Sequence, residues 1–209
     1  MTAATRENIL DAALELISSK GYLGASTREI AQMAGVAEVT LFRYFASKES
    51  LFAEVLRSFS SIPVLPELMP HLESMSYEEA LEALAFRFLG YFEANRDWIR
   101  VLSCEAGYAP EEMKGVYVDF SKQLFAVLTE FFADVGERGG IRPDLGTEHI
   151  ARAFHSMVFG LFQIEGLRGV KTDLASKYVD MVEVFVDIFC QGTKALDEKG
   201  VNYSKNACG

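Results

Sequence analysis

Ser26-Thr27-Arg28-Glu29-Ile30-Ala31-Gln32-Met33-Ala34-Gly35-Val36-Ala37-Glu38-Val39-Thr40-Leu41-Phe42-Arg43-Tyr44-Phe45-Ala46-Ser47-Lys48 is the stretch on which the reading of this chain turns. Ser26 and Glu29 form a capping box: the hydroxyl accepts from the third amide and the carboxylate reaches back to the cap. The short helix they open carries Ile30, Ala31 and Ala34, and Gly35 ends it. A second short helix is expected from Glu38 to Phe45. Ser47 then caps another, from Lys48 to about Phe59. Upstream, Ile9, Leu10, Ala13, Leu14, Leu16 and Ile17 share one face of a first helix, which Gly21 stops and Gly24 turns.

Two short helices joined by a glycine turn and braced by a preceding helix describe a helix-turn-helix. At about 100° per residue, Leu41 and Phe45 point inward with Ala37 close by. Val39, Phe42 and Arg43 point outward, and Thr40 lies on the flank. An outward face that is small, apolar and basic suits a major groove. Arg43 offers paired donors to guanine or a phosphate, and Val39 or Phe42 can meet a thymine methyl. Thr27 sits in a first turn whose free amides suit a phosphate. The Tyr44 phenol can reach a backbone oxygen, and Lys48 opens the next helix with a charge that favours phosphate.

Charge alone would not point to DNA. The net charge is −10, but residues 1–57 carry six Lys/Arg against seven Asp/Glu, so the acidity lies mostly beyond them. The remaining periodicity is helical too. Pro63, Pro66 and Pro70 mark the main composition break. Ser76-Tyr77-Glu78-Glu79 is a second capping box, for a helix to about Ala94. Others are expected from Asp97 to Ala106, from Pro110 to Gly139-Gly140, from Thr147 to Arg168 and from Asp173 to Leu196. The expected fold is all-α, with about nine helices. Residues 1–57 would form a three-helix helix-turn-helix domain, 58–196 a C-terminal bundle for effector binding and dimerisation, and 197–209 a flexible tail.

The stretch from Ile9 to Leu56, above all the residues quoted first and their continuation through Glu49-Ser50-Leu51, resembles the TetR-type repressor family. Gly140-Ile141-Arg142-Pro143-Asp144 is similar to a connection common in that family. The resemblance implies a homodimer whose last two helices form a four-helix interface. It also implies an effector pocket in the C-terminal domain and release of DNA when the pocket fills. By position, Thr27, Thr40, Tyr44 and Lys48 match phosphate-contacting sites, and Glu38, Val39, Phe42 and Arg43 match variable sites facing bases. Arg28, within the capping motif, is grouped with these DNA contacts. Ala37 departs from the usual Ser or Thr cap, a loss of ~1 kcal/mol. Glu38 sets a carboxylate beside the groove, where it either reads a cytosine amino group or repels phosphates.

The second part is rich in aromatics at three- and four-residue spacing, most of them core. Sites between bundle helices are mostly apolar with few polar anchors. The expected pocket draws on Phe88, Phe92, Trp98, Leu102, Phe120, Leu124, Phe154 and Phe159. Its candidate anchors are Arg87, Tyr91, His155 and Gln163, with Arg87 equally suited to the surface and His155 to a core. Tyr178, Met181, Val182, Phe185, Ile188 and Phe189 form an apolar stripe for a dimer interface, and Ala153 and Gly160 allow close approach. The two recognition helices would then stand one DNA turn apart, roughly 34–36 Å, or farther for a longer site.

The partners expected are a palindromic double-stranded DNA operator, a second copy and a largely apolar small molecule. A ligand would shift the helix from Ala94 to Ala106 and push the fourth helix, with a coupling of ~1–3 kcal/mol, or 5–150-fold in DNA affinity. The rival is an effector-free dimer whose bundle only dimerises or docks a protein partner. No nucleophile–base pair, glycine-rich phosphate loop or metal set is visible, so neither an enzyme nor a cofactor is expected. Cys104, Cys190 and Cys208 lack paired spacing. No apolar run is long enough to cross a bilayer and none precedes the first helix, so a cytoplasmic location is expected.

Overall fold

The computed structural model describes residues 2–59, 65–105, 111–168 and 174–195. These residues form ten α-helices and no β-strand: α1 Ala3–Gly24, α2 Thr27–Met33, α3 Glu38–Tyr44, α4 Lys48–Ser58, α5 Leu65–Leu72, α6 Tyr77–Ala94, α7 Arg96–Glu105, α8 Glu111–Glu137, α9 Thr147–Arg168 and α10 Leu174–Thr193. The sequence reading lacked α5, because three prolines in eight residues argue against a helix. Pro66 falls in its first turn, where the missing N–H has no intrahelical partner. Pro70 does lie inside. The helix persists because Leu65 and Leu72, almost fully buried, anchor its two ends in the core.

The local punctuation follows the caps. The Ser26 hydroxyl accepts from the Glu29 amide while Glu29 Oε2 accepts from the Ser26 amide at 3.1 Å, completing the box. Lys20 donates to Glu29 Oε1 at 2.7 Å and, with Ser26, pulls the Glu29 carboxyl down to about 2. Ser47 caps α4 through the Ser50 amide, and Ala37 leaves α3 without a side-chain cap. Gly21 breaks the helical path inside α1 at φ 75°, and Gly35 carries φ 69° in the α2–α3 turn, a region that costs a side-chain-bearing residue ~1–2 kcal/mol.

The chain divides into two compact units. The first comprises Met1–Pro63 with Ala94–Gln123, and the second Val64–Glu93 with Leu124–Gly209. In the first, α1 packs on α2, α4 and α7, and α2 on α3. Ile9, Ala13, Ile17, Ile30, Leu41, Leu51, Phe52 and Val55 fill its interior. The compact unit is therefore larger than residues 1–57, since α7 and the start of α8 belong to it. Phe52 is its hub, with its ring 5.0 Å from Tyr22, 5.8 Å from Trp98 and 5.8 Å from Tyr117, edge to face in each case. Arg6 pairs with Glu54 of α4 and lies 5.5 Å over the Phe45 ring, tying α1 to both later helices.

In the second unit, α6, α8, α9 and α10 bury Leu81, Leu84, Phe88, Leu128, Phe132, Phe154, Phe162 and Phe189. Beyond α8, Gly140 and Ile141 run beside the end of α10: Ala195 donates to the Gly140 carbonyl and Arg142 to that of Thr193. Arg142 also holds Asp144 with two hydrogen bonds, at 3.0 and 2.6 Å. The expected tail from Asp197 to Gly209 lies outside the described residues.

Candidate nucleic-acid interface and effector region

The recognition helix α3 turns on a division of its seven residues between two faces. Leu41 is fully buried, and Phe45 just past the helix end is nearly so. On the opposite side Val39 is 68% and Phe42 44% exposed, and Arg43 is exposed in the last turn. This is the division that about 100° per residue predicts, with one correction: Ala37 is exposed, because as the N-cap it precedes the helical path. Thr40 is half-buried on the flank and Arg28 is exposed on α2.

The flanking groups are already held. Thr27 donates its hydroxyl to Glu38 Oε1 at 2.6 Å, so the first turns of α2 and α3 are linked. Glu38 is thereby oriented by a neighbour, and with the Thr27 hydroxyl hydrogen committed, a phosphate here would meet the free amides of the first turn of α2. The Tyr44 phenol donates to the Thr2 carbonyl at 3.3 Å. Lys48 donates to the Tyr22 carbonyl and stands 4.3 Å over the Tyr22 ring. Tyr22 in turn donates to Glu49 Oε1 at 3.1 Å. The Glu49 carboxyl lies below its usual range, chiefly through the Ser47 hydroxyl. Thr2 and Tyr22 were not among the expected residues; each offers a carbonyl brought close by the fold, which no side-chain pattern announces, and Tyr22 adds its ring.

The expected effector residues divide. Phe88, Phe92, His155 and Phe159 come together in the second unit, on α6 and α9, joined by Phe125 of α8, which was not among the expected residues. The His155 ring lies 5.4 Å from Phe88, 6.0 Å from Phe92, 5.5 Å from Phe125 and 5.9 Å from Phe159, edge to face with the first three and stacked on the last. No hydrogen bond to its imidazole occurs among the described residues. Burial pushes its pKa down to about 4. Burial also raises the Tyr91 phenol above its ordinary range. Leu124 and Phe154 are core, Gln163 is half-buried and Arg87 is exposed on the outer face of α6. Trp98, Leu102 and Phe120 belong to the first unit, where Trp98 is buried against Phe52. Spacing along the chain could not separate these three from the rest, because all are apolar residues on helices.

His155 gives a measurable pH dependence. A free imidazole titrates near 6.5, whereas the folded one waits until about 4. Between these values the unfolded chain binds more protons, so stability is full above pH ~6.5 and falls as the pH drops toward ~4, by at most about 3 kcal/mol. Urea unfolding across this window should show a shallower slope for His155→Phe than for the parent. Equal slopes would mean that the ring is hydrated.

The expected dimer stripe also divides. Tyr178, Val182 and Phe189 are buried in their own chain, and the Tyr178 phenol donates to Glu93 of α6. Met181 and Ile188 are 40% and 57% exposed, joined by Val184 at 48%, and Phe185 is half-buried between the faces. On α9, Ala153 is exposed and Gly160 half-buried, and Ile164, 60% exposed, continues their row. The stripe covers about 120° of the helix circumference, wide enough for one edge to turn inward and the other outward. Its inner edge serves the monomer core.

An all-helical protein with a helix-turn-helix whose second helix presents Val39, Phe42 and Arg43 to solvent is a DNA-binding transcription regulator in class. The pattern describing "Bacterial regulatory proteins, tetR family" matches residues 9–55. The chain is 30% identical over 158 residues to the Bacillus subtilis uncharacterised HTH-type transcriptional regulator YvkB, across 76% of this chain and 81% of that protein. It belongs to the TetR family. Among solved structures, a TetR-family regulator from Mesorhizobium loti aligns with a TM-score of 0.74 at 23% identity, over 93% of this chain and all of that one. The Bacillus subtilis regulator FadR in complex with stearoyl-CoA aligns with a TM-score of 0.69 at 18% identity, over 86% and 96% of the two chains. Among the described residues no helix is long and apolar enough to cross a membrane, and no group of three or more His, Cys, Asp or Glu could hold a metal ion.

Proposed function

We propose that this regulator is a cytoplasmic homodimeric repressor that holds a palindromic operator and releases it when a largely apolar small molecule enters the second unit. Residues 1–57 read DNA and 58–196 sense and dimerise. The observation that carries the reading is the exposure of Val39, Phe42 and Arg43 on a helix whose other side is locked by Leu41. Arg43 addresses a base edge or a phosphate, and Val39 and Phe42 meet thymine methyls. Thr27, Arg28, Thr40, Tyr44 and Lys48 position the head on phosphates, and Glu38, oriented by Thr27, selects against bases that cannot donate to it.

Dimerisation uses the outer faces of α9 and α10, through Ala153, Gly160, Met181, Phe185 and Ile188 together with the exposed Ile164 and Val184. Their exposed apolar surface supports that assignment. The effector site centres on His155, an imidazole in a cluster of Phe rings with no hydrogen bond to satisfy it among the described residues, a feature more suited to a ligand contact than to a bare core. The Bacillus subtilis FadR structure is a complex with stearoyl-CoA, which supports a largely apolar effector here.

Genomic-fragment selection with the purified protein, followed by binding titrations at fixed salt, tests the reading. An enriched palindrome bound tightly is expected. Ile188→Glu should shift the protein to a monomer in sedimentation and weaken that binding at least ~10-fold, since one head then works alone. Absence of enrichment at low salt, or full affinity from a monomeric variant, would overturn it.

A further inference from the structure

A cavity of about 190 Å³ opens between α5, the start of α6 and the end of α8, all within the second unit. It takes in none of the residues expected to bind an effector. Its body is apolar, from Met69, Leu72, Met75, Ala80, Phe131 and Val135, with Tyr77 beside them. The Tyr77 phenol is engaged with the Thr193 hydroxyl at 3.0 Å, leaving its ring as the lining surface. A cavity of roughly 150 Å³ with an apolar lining already accepts benzene, so this one has room for a ring and a short chain.

The rim supplies the polarity. Arg138 donates to the Glu73 carbonyl at 3.1 Å and stands 4.0 Å from the Glu73 carboxylate, so these two side chains offset each other. Asp134, one turn before Arg138, has no ion-pair partner among the described residues. The rim therefore keeps one uncompensated negative charge above a pocket of thioethers and rings. Methionine sulfur and aromatic faces both favour aromatic or cationic guests.

We propose that this cavity is a second small-molecule site, selective for a compact amphipathic monocation: one aromatic or branched apolar group carrying a single ammonium. The apolar group fills the space between Met69, Met75 and Phe131, and the ammonium meets the Asp134 carboxylate at the mouth. An anion of the same shape would face Asp134 unpaired. Desolvating that carboxylate beside a like charge disfavours it.

The test is the spectrum of methyl-¹³C-methionine protein titrated with 2-phenylethylammonium, phenylacetate and 2-phenylethanol. The Met69 and Met75 methyl signals, assigned by Met→Leu substitution, should move with the ammonium and stay still with phenylacetate at equal concentration. Asp134→Asn removes one charge-assisted contact from an exposed position. It should weaken the ammonium about tenfold, to the level of the alcohol. Ala80→Leu fills the cavity and should abolish both responses. The proposal is overturned by methyl signals that stay still up to about 10 mM ammonium, the weak end expected for so small a ligand. Equal affinity for ammonium and phenylacetate, or an unchanged response in Asp134→Asn, overturns it as well. The DNA reading is unaffected by either result, because operator binding is measured separately.

Discussion

An Arg43→Ala, Tyr44→Phe double variant is expected to bind the selected palindrome about 1,000-fold more weakly than the parent, or worse. A guanidinium contact to a base edge is worth about 1–3 kcal/mol, and a two-fold dimer loses it twice. Each lost phenol-to-phosphate contact adds about 1 kcal/mol. Folding should be nearly unchanged, because Arg43 is exposed and makes no ion pair among the described residues. Tyr44→Phe keeps the half-buried ring and removes only the hydroxyl that reaches Thr2. The salt dependence then separates the two roles available to Arg43. A slope reduced by about one for each head marks a phosphate contact, and an unchanged slope with relaxed preference at one base pair marks base readout. Parent-like affinity from a folded double variant would remove α3 as the reading element.

The second large effect concerns the support beneath that element. Phe52→Ala should destabilise the first unit by about 3–5 kcal/mol, the range for a buried phenylalanine truncated to alanine. Phe52 has no exposed surface and meets Tyr22, Trp98 and Tyr117 edge to face, so its removal leaves three rings without a common partner. Trp98 is the only tryptophan in the chain and touches Phe52, so its fluorescence reports directly on this packing during urea unfolding. Phe52→Leu should cost far less, about 1–1.5 kcal/mol, because most of the volume is kept. A fall of less than about 1 kcal/mol for Phe52→Ala would mean that the hub collapses freely around the gap.

The helix-turn-helix was legible in the sequence because each of its signals acts over a few residues. The Ser26–Glu29 box closes within one turn, Gly35 takes a φ that side chains resist, and the inward position of Leu41 against the outward Val39 and Phe42 follows from helix period alone. The effector region was legible only as composition. Trp98 and Phe92 look alike in sequence, a few residues apart on helical segments rich in apolar groups. One packs on Phe52 in the first unit and the other beside His155 in the second.

The all-helical class, most helix bounds, the family and the outward face of α3 are thus legible in short-range sequence signals. Local hydrogen bonds, φ limits and helix period require no knowledge of distant residues. Tertiary structure alone decided that Pro70 lies inside a helix whose ends Leu65 and Leu72 bury. It decided that Tyr178 turns to Glu93 rather than to a second copy, and that Lys48 is held by the Tyr22 carbonyl and ring. It also decided that Asp134 is left without the arginine one turn away. In each case the free energy of the arrangement depended on contacts that the folded chain makes available, and burial chose between arrangements that local sequence made equally good.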